Sequence, residues 1–257
     1  MTSLTSVMMT YNIWGDAFWP RREPALRAFL TVREPDILAV QELRPQSRQV
    51  IDETLTGHAR VDDDFPGWSR EGNIWWRREL YDLVEYGAED VGMREKHRRL
   101  FWVRLRPTCF QSGPLLLFAT AHFTWPGNRQ EVADDRNPRV EQARRTVEAL
   151  TRIAGEDACV FVGDLNDHTR PISVLRQAGF RDAFAALGSS SPITHPVIPL
   201  PNSADGPAPS YVRKTLDYQF HRGPITPRMS EVVDFFHEGL APSDHKPVVT
   251  AYTMVGS

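Results

Sequence analysis

The sequence predicts a protein of mixed α and β structure whose sheets are covered on both faces. Three observations predict it. Segments rich in β-branched and aromatic residues recur from one end of the chain to the other. Several of them (ILAV, LLLFATA, CVFVG) are continuous apolar runs, as expected of strands buried on both sides. Only a few amphipathic stretches separate them, so most strands neighbour other strands and the sheets should mix parallel with antiparallel pairs.

In chain order, the strands are expected at Val7–Trp14, Ile37–Leu43, Ile74–Arg77, Tyr81–Tyr86 and Leu100–Leu105. They continue at Leu115–Phe123, Cys159–Asp164, Leu216–His221, Glu231–Phe236 and Pro247–Tyr252. A first helix carries Ala25, Leu26, Phe29 and Leu30 after Pro24 and is closed by Pro35. A second carries Val140, Ala143, Val147, Leu150 and Ile153 at helical spacing, with Gly155 as its C-cap. Pro171 to Ala178, stopped by Gly179, is a shorter third. Ser189 to Ser210 holds prolines at 192, 196, 199, 201, 207 and 209 and reads as a long loop. There is no internal repeat, and residues 1–257 read as one domain.

Thirty Lys plus Arg oppose thirty-three Asp plus Glu, a net charge of −3, and 41% of residues are hydrophobic. That composition is globular and excludes disordered and collagen-like classes. Folding a chain of this size buries roughly three quarters of its surface, enough for one substantial core. MTSLTSVMMT lacks the basic start and apolar run of a signal peptide, and no stretch reaches the ~20 apolar residues of a membrane span. The two cysteines, Cys109 and Cys159, make no disulfide framework, which favours a reducing, cytoplasmic setting. Cys159, inside ACVFVG, reads as a small buried hydrophobe. Bulk charge does not suit coating of nucleic acid; a local basic groove remains open, with residues 94–99 and 136–145 as its arginine-rich stretches.

Placement says more than composition. Asn12 ends VMMTYN, Gln41-Glu42 ends ILAVQE, His122 ends LLLFATAH, and Asp164 with Asn166 ends CVFVGDLN. Asp217 interrupts TLDYQF, and Ser243-Asp244-His245 precedes PVVTAY. Polar groups at strand ends are held by a rigid sheet yet can face a cleft. Asn12, Glu42, Asp164 and Asp244 offer hard oxygens suited to Mg²⁺ or Mn²⁺. His122 and His245 can donate to phosphate oxygen or exchange a proton near neutrality. HExxH, CxxC and the Gly-x-x-x-x-Gly-Lys phosphate loop are absent. Residues 163–167 (GDLND) also fit the GDxxD element of calcineurin-like dimetal phosphoesterases, but no Asp here has His two residues later and no Gly-Asn-His follows.

The ordered set TYNIW (10–14), ILAVQE (37–42), EGNIWWRR (71–78), ATAHFTW (119–125), FVGDLND (161–167), TLDYQF (215–220) and SDHKPV (243–248) resembles the endonuclease/exonuclease/phosphatase superfamily. The resemblance spans essentially the whole chain. It implies a deoxyribonuclease I-like α/β/β/α fold, a four-layer sandwich of two packed mixed β-sheets flanked by helices. It also implies Mg²⁺- or Mn²⁺-dependent hydrolysis of a phosphoester, with a nucleic acid or a small phosphodiester as substrate and no obligate protein partner. A phosphomonoesterase or a lipid or sugar phosphatase of the same fold is the alternative, ahead of a non-catalytic binding module. Carried over by residue, Glu42 is the principal metal ligand, with Asn12 and Asp244 in the metal shell. Asp164 orients or deprotonates the attacking water, and Asn166 donates to a phosphate oxygen. Asp217 holds the imidazole of His245 against the scissile phosphate, and His122 contacts the phosphate or helps the leaving group. Glu71 is either a further partner for His122, as a carboxylate in this stretch is in deoxyribonuclease-like relatives, or a solvated turn residue.

His122 and Trp125 stand where relatives that cleave abasic DNA have tyrosine and asparagine, which argues against that activity. Trp14, Phe18, Trp19 and Trp125 fall in site loops, where an aromatic wall could bind substrate, and Trp125 is taken as the substrate contact. Trp75, Trp76 and Trp102 read as core. The histidines at 58, 97, 168, 195, 221 and 237 read as surface or hydrogen-bonded structural residues, with lining of the cleft as the alternative for His168 and His195 because they follow GDLND and Thr194, and Asp62-Asp63-Asp64 reads as a solvated loop.

Overall fold

The computed structural model describes residues 2–199 and 212–256. The first half of the chain forms β1 (Thr2–Asn12), α1 (Glu23–Arg33), β2 (Ile37–Gln41), α2 (Pro45–Thr54), β3 (His58–Arg60), α3 (Gly67–Arg70) and β4 (Gly72–Arg77). Next come β5 (Tyr81–Glu89), β6 (Leu100–Pro107), β7 (Leu116–His122), α4 (Arg129–Asp134), α5 (Arg139–Ala154) and β8 (Ala158–Asp164). The remainder is α6 (Arg170–Gln177), β9 (Arg181–Asp182), α7 (Ala183–Ala186), β10 (Asp217–Arg222), β11 (Ile225–Val232) and β12 (Val248–Gly256).

Two six-stranded sheets result, in the orders β11-β12-β1-β2-β4-β3 and β5-β6-β7-β8-β10-β9. Each sheet is built around one parallel pair, β1 with β2 and β7 with β8, and antiparallel partners lie on either side. Alternation along the strands divides the apolar residues between three clusters. Met8, Ile37, Ala39, Phe118, Val160 and Val162 face the space between the sheets. Met9 and Leu38 face outward to Leu26, Phe29 and Ile51 of α1 and α2. Leu117, Ala119 and Phe161 face outward to Ala143, Leu150 and Leu175 of α5 and α6. The four-layer α/β/β/α sandwich expected from the sequence is therefore the observed architecture.

The parallel pairs matter for function because parallel strands end on the same side. In register, Asn12 lies beside Gln41 and His122 lies beside Asp164. Neutral amides then tie the sheets to one another. Gln41 Nε2 donates to Thr120 Oγ1 at 2.8 Å, and Gln219 Nε2 donates to the carbonyls of Met8 (3.0 Å) and Val248 (2.8 Å).

Some elements differ from expectation. β1 starts at Thr2 and stops at Asn12, because Trp14 adopts a left-handed φ of 59° and turns the chain. The strand expected at Glu231–Phe236 lies at Ile225–Val232 instead, and beyond Val232 the chain leaves the ladder. Pro227 hides that strand from sequence patterning, yet β11 is an edge strand, and a register shift falls between Pro227 and Met229. Helix α2 (PQSRQVIDET) buries only Ser47, Val50 and Ile51, too little apolar periodicity to be read from sequence. In α5 the buried stripe runs through Gln142, Ala143, Thr146, Leu150 and Ile153, leaving Val147 half-buried, and Gly155 caps it as expected. Of the proline-rich stretch, residues 200–210 lie outside the described residues, and 189–199 form no helix or strand beyond a bridge from His195 to Lys214. Trp75, Trp76 and Trp102 are buried, as is Cys159. No helix among the described residues is long and apolar enough to cross a membrane.

Gly163 shows how closely the β7–β8 pair is packed beside the site. Its φ is 141°, and a Cβ there would lie 2.0 Å from the Ala121 carbonyl oxygen, which belongs to the strand backbone and cannot rotate away. Gly163→Ala should lower the unfolding free energy by about 3 kcal/mol or more, read as a shift in urea midpoint.

Candidate active site

The ends of β1, β2, β7 and β8, together with the start of β10 and the turn before β12, converge on one cleft. It has a volume of about 550 Å³, and Trp14, Glu42, His122, Trp125, Asp164 and Asn166 line it along with Asp244 and His245. Asn12 and Asp217 are buried just behind its wall. Asn12, Glu42, His122, Trp125, Asp164, Asn166, Asp217, Asp244 and His245 are thus in the cleft or directly beneath it, whereas Phe18, Trp19, Glu71 and His168 do not line it.

The contacts are specific. Asn12 Nδ2 donates to Glu42 Oε1 (3.1 Å) and to Asp164 Oδ2 (3.0 Å), joining a carboxylate of each sheet. Its own Oδ1 accepts from the Trp14 N–H at 3.0 Å, which fixes the amide orientation, because a flipped amide would set two donors face to face. Asp164 Oδ1 accepts from the Asn166 backbone N–H (2.9 Å), and Asn166 Nδ2 donates to the Phe123 carbonyl (2.9 Å). His245 Nδ1 meets Asp217 Oδ2 at 2.8 Å, while its Nε2 lies 3.7 Å from Asp164 Oδ2. His122 Nε2 lies 3.4 Å from the same Asp164 oxygen and 4.0 Å from Glu42 Oε1. Ser243 Oγ donates to the Asn12 carbonyl (2.7 Å) and accepts from the His245 N–H (3.1 Å), which locks the Ser-Asp-His turn onto β1.

Three residues at this cleft hold left-handed backbone without being glycine: Trp14 (φ 59°), Glu42 (φ 56°) and Asn166 (φ 49°). Such conformations cost of order 1 kcal/mol or more each and persist where the surroundings enforce them. Here they aim side chains just past a strand end into the cleft.

Burial and neighbouring charge set the protonation states. Burial lowers the basicity of His245, but Asp217, Asp164 and Asp244 outweigh it and hold the imidazole well above its usual value. His122 moves the other way. Burial, then the positive charges of Arg98, His245 and Arg44, keep it neutral. Burial raises the Asp164 carboxyl to about 6, against the pull of His245. Burial would raise Asp244 too, but His195, His245 and Arg22 hold it below its usual range.

Several residues at the cleft carry no sequence signal. Arg22 is fully buried and donates to the carbonyls of Ala17 (2.7 Å), Ile13 (3.0 Å), Trp14 (3.2 Å) and Gly15 (3.1 Å), and also to that of Pro242. It thereby clamps the loop after β1 to the turn before β12. Arg44 and Arg98 line the cleft, as do His195 and Lys214. His195 packs on His245 with ring centroids 4.6 Å apart and planes tilted by 42°, and sets Nε2 3.6 Å from Asp244 Oδ2. Its place after Thr194 was the one available hint; His168 lines a neighbouring cavity instead. Glu71 does not partner His122. It receives Arg98 Nε at 3.4 Å, and His122 Nδ1 is buried with no partner among the described residues. Trp125 is 53% exposed on the rim, and Trp14 packs on Phe18 at 5.3 Å. Asp62 and Asp63 are engaged by Arg60 and Tyr86.

Among the described residues, His195, Asp244 and His245 lie close enough to share a cation, as do Asp164, Asp217 and His245. Both groups need His245, whose Nδ1 already meets Asp217.

The chain matches the profile of the Endonuclease/Exonuclease/phosphatase family over residues 9–245. It belongs to that family. No curated protein sequence matches it significantly. Among solved structures, D. rerio TDP2 complexed with single strand DNA product superposes with a TM-score of 0.76 at 18% identity, covering 96% of this chain and 98% of that one. An endonuclease/exonuclease/phosphatase family protein from Bacteroides thetaiotaomicron gives a TM-score of 0.76 at 18% identity, covering 99% and 96%. The Bacteroides thetaiotaomicron mannosyl-6-phosphatase Bt3783 gives 0.73 at 18% identity, covering 96% and 99%. The architecture is accordingly the deoxyribonuclease I-like fold of the endonuclease/exonuclease/phosphatase family.

Replacing Arg22 by Met should destabilise the protein by at least about 3 kcal/mol, since five buried carbonyls lose their donor. Chemical denaturation with tryptophan fluorescence measures it.

Proposed function

We propose that this endonuclease/exonuclease/phosphatase family member is a divalent-metal-dependent phosphoesterase that cleaves a phosphodiester by in-line attack of water. The observation that carries the reading is the convergence of the buried Asp217–His245 pair, neutral His122 and Asp164 within one cleft whose mouth bears Glu42 and Asp244. Because these residues span Asn12 to His245, we take the chain to work as one domain.

The donor set fits a hard cation. Glu42 Oε2 has no hydrogen-bond partner among the described residues, and Asp244 is held ionised at the same cleft. Glu42 and Asp244 would hold Mg²⁺ or Mn²⁺, which supplies positive charge against the phosphate oxygens and the leaving oxygen. Asn12 takes a different part from the one its sequence position implies. With its oxygen on Trp14 and its nitrogen on two carboxylates, it positions Glu42 and Asp164 rather than binding the ion.

The chain's own groups then divide the work. Asp164, raised toward neutrality, accepts the proton of the attacking water. His245, kept cationic by Asp217, donates from Nε2 to a non-bridging oxygen, where charge grows in the transition state. Neutral His122 offers an N–H to the phosphate and is a poor proton donor to a leaving group. Asn166 has one amide hydrogen on Phe123 and the other available for phosphate oxygen. The exposed Trp125 offers a ring face to the substrate.

The likeness to TDP2 holding a single strand DNA product and the likeness to mannosyl-6-phosphatase support phosphate-ester chemistry on two kinds of substrate. Turnover of bis-p-nitrophenyl phosphate against p-nitrophenyl phosphate, with Mg²⁺ or Mn²⁺, tests the reading. The diester should be the better substrate, EDTA should abolish turnover, and Asp164→Asn should lower kcat by about 10³. Turnover that survives either treatment contradicts the mechanism. The kcat profile should rise through pH about 6 as Asp164 ionises and fall only at alkaline pH, where His245 loses its proton. Asp217→Asn removes the strongest of the negative charges holding that proton, so the alkaline limb should move to lower pH.

A further inference from the structure

The arginine-rich stretches at 94–99 and 136–145 do not provide a basic track, because carboxylates largely neutralise them. Arg94 pairs with Asp134, Arg98 with Glu71 and Glu95, and Arg99 with Asp90. Arg139 pairs with Glu131 and Asp167, while Arg144 and Arg145 share Glu141.

Unpaired positive charge gathers elsewhere. Arg170 and Arg176 of α6, with Arg213 and Lys214 of the segment before β10, line a concave basin of about 870 Å³. Val212 and Lys214 line both this basin and the catalytic cleft, so the two adjoin. None of the four cations has an ion pair among the described residues. The one carboxylate among the described residues that line the basin, Asp182, is buried, already accepts from Ala185 N–H (2.9 Å) and Ser191 Oγ (3.2 Å), and feels the charge of Arg176 without a direct ion pair. Four like charges held in one concavity repel, and the low-dielectric walls focus their field, so an anion entering the basin is stabilised by all of them. Guanidinium forks match phosphate oxygens two at a time. In a chain whose net charge is −3, this attraction is local.

We infer that the basin is a second phosphate site, which takes a phosphate of a polyanionic ligand whose scissile phosphate lies in the adjoining cleft. The inference rests on the phosphoesterase reading of that cleft. The second phosphate can come from the next nucleotides of an oligonucleotide strand or from a compact polyphosphorylated molecule, and both present the same group to Arg170, Arg176 and Arg213.

Fluorescence anisotropy in EDTA tests the site without turnover. The probes are fluorescein-labelled (dT)12 and, as competitor, tripolyphosphate, each titrated at several NaCl concentrations. The variant combines Arg170→Gln, Arg176→Gln and Arg213→Gln, all exposed residues away from the cleft chemistry. A charge-matched control combines Arg136→Gln, Arg144→Gln and Arg145→Gln. The expected result is at least tenfold weaker binding in the first variant, with the log K against log salt slope reduced by about 2, since each lost single-strand contact removes about 0.7. The control binds as wild type, and both variants keep wild-type turnover of bis-p-nitrophenyl phosphate with Mn²⁺. Loss confined to (dT)12 assigns the site to a strand; loss confined to tripolyphosphate assigns it to a compact ligand. Equal affinity in variant and wild type, equal loss in variant and control, or no binding of either probe by wild type overturns the second site. Intact probe binding without bis-p-nitrophenyl phosphate turnover in wild type instead overturns the phosphoesterase reading.

Discussion

The amide of Asn12 joins one carboxylate from each sheet, and the geometry of the cleft depends on that join. The space between the sheets is filled by apolar side chains, so the sandwich is held together without reference to where its polar strand ends fall. Glu42 and Asp164 would repel if brought together unaided. A neutral group with two N–H donors satisfies both without adding charge, whereas Asp at that position would add repulsion and Leu would leave a buried carboxylate short of a partner. Gln41 and Gln219 make similar crossings deeper in the sandwich, so relative sheet position is set by amide contacts as well as by packing.

Around that join the protein accumulates costs that a purely structural core would avoid. Asp164 and Asp217 are buried carboxylates, His122 and His245 are buried imidazoles, and Arg22 is a buried guanidinium held mainly by carbonyls. The two histidines diverge although both lie near Asp164. His245 has Asp217 against its other nitrogen and stays charged, whereas His122 faces Arg98 and Arg44 and is kept neutral. Opposite protonation of two imidazoles whose Nε2 atoms lie 3.4 and 3.7 Å from the same Asp164 oxygen gives one cationic donor and one neutral donor. The left-handed backbone at Glu42 and Asn166 belongs to the same pattern, because it turns a side chain into the cleft just past a strand end.

Much of the fold was legible because its signals are local. Runs such as CVFVGD record both burial and the polar strand end in consecutive residues; such ends place Glu42, His122 and Asp164 in one cleft, with His245 from the turn before β12 and Asp217 just behind the wall. What escaped depends on distant contacts. Arg22 sits in WPRREP and Arg98 in KHRRL, which look like solvated charge runs; only the fold places one among five carbonyls and the other at the cleft wall. His195 gains its place by packing on a residue fifty positions later in the chain. Helix α2 packs through Val50 and Ile51 alone, and β11 tolerates Pro227 because it lies at an edge, so neither shows its periodicity. The arginine-rich stretches stayed ambiguous for a related reason: sequence shows the cations but not the carboxylates folded against them.

The proposed chemistry requires the carboxylates at the cleft mouth to hold a divalent cation beside the His122–Asp164–His245 group. Anomalous diffraction from Mn²⁺-soaked crystals tests it most directly. A peak in contact with Glu42 and Asp244 is expected, with the Asn12 amide still turned toward Glu42 and Asp164. A peak held instead by His195 and His245, or no peak in the cleft at saturating Mn²⁺, would contradict it.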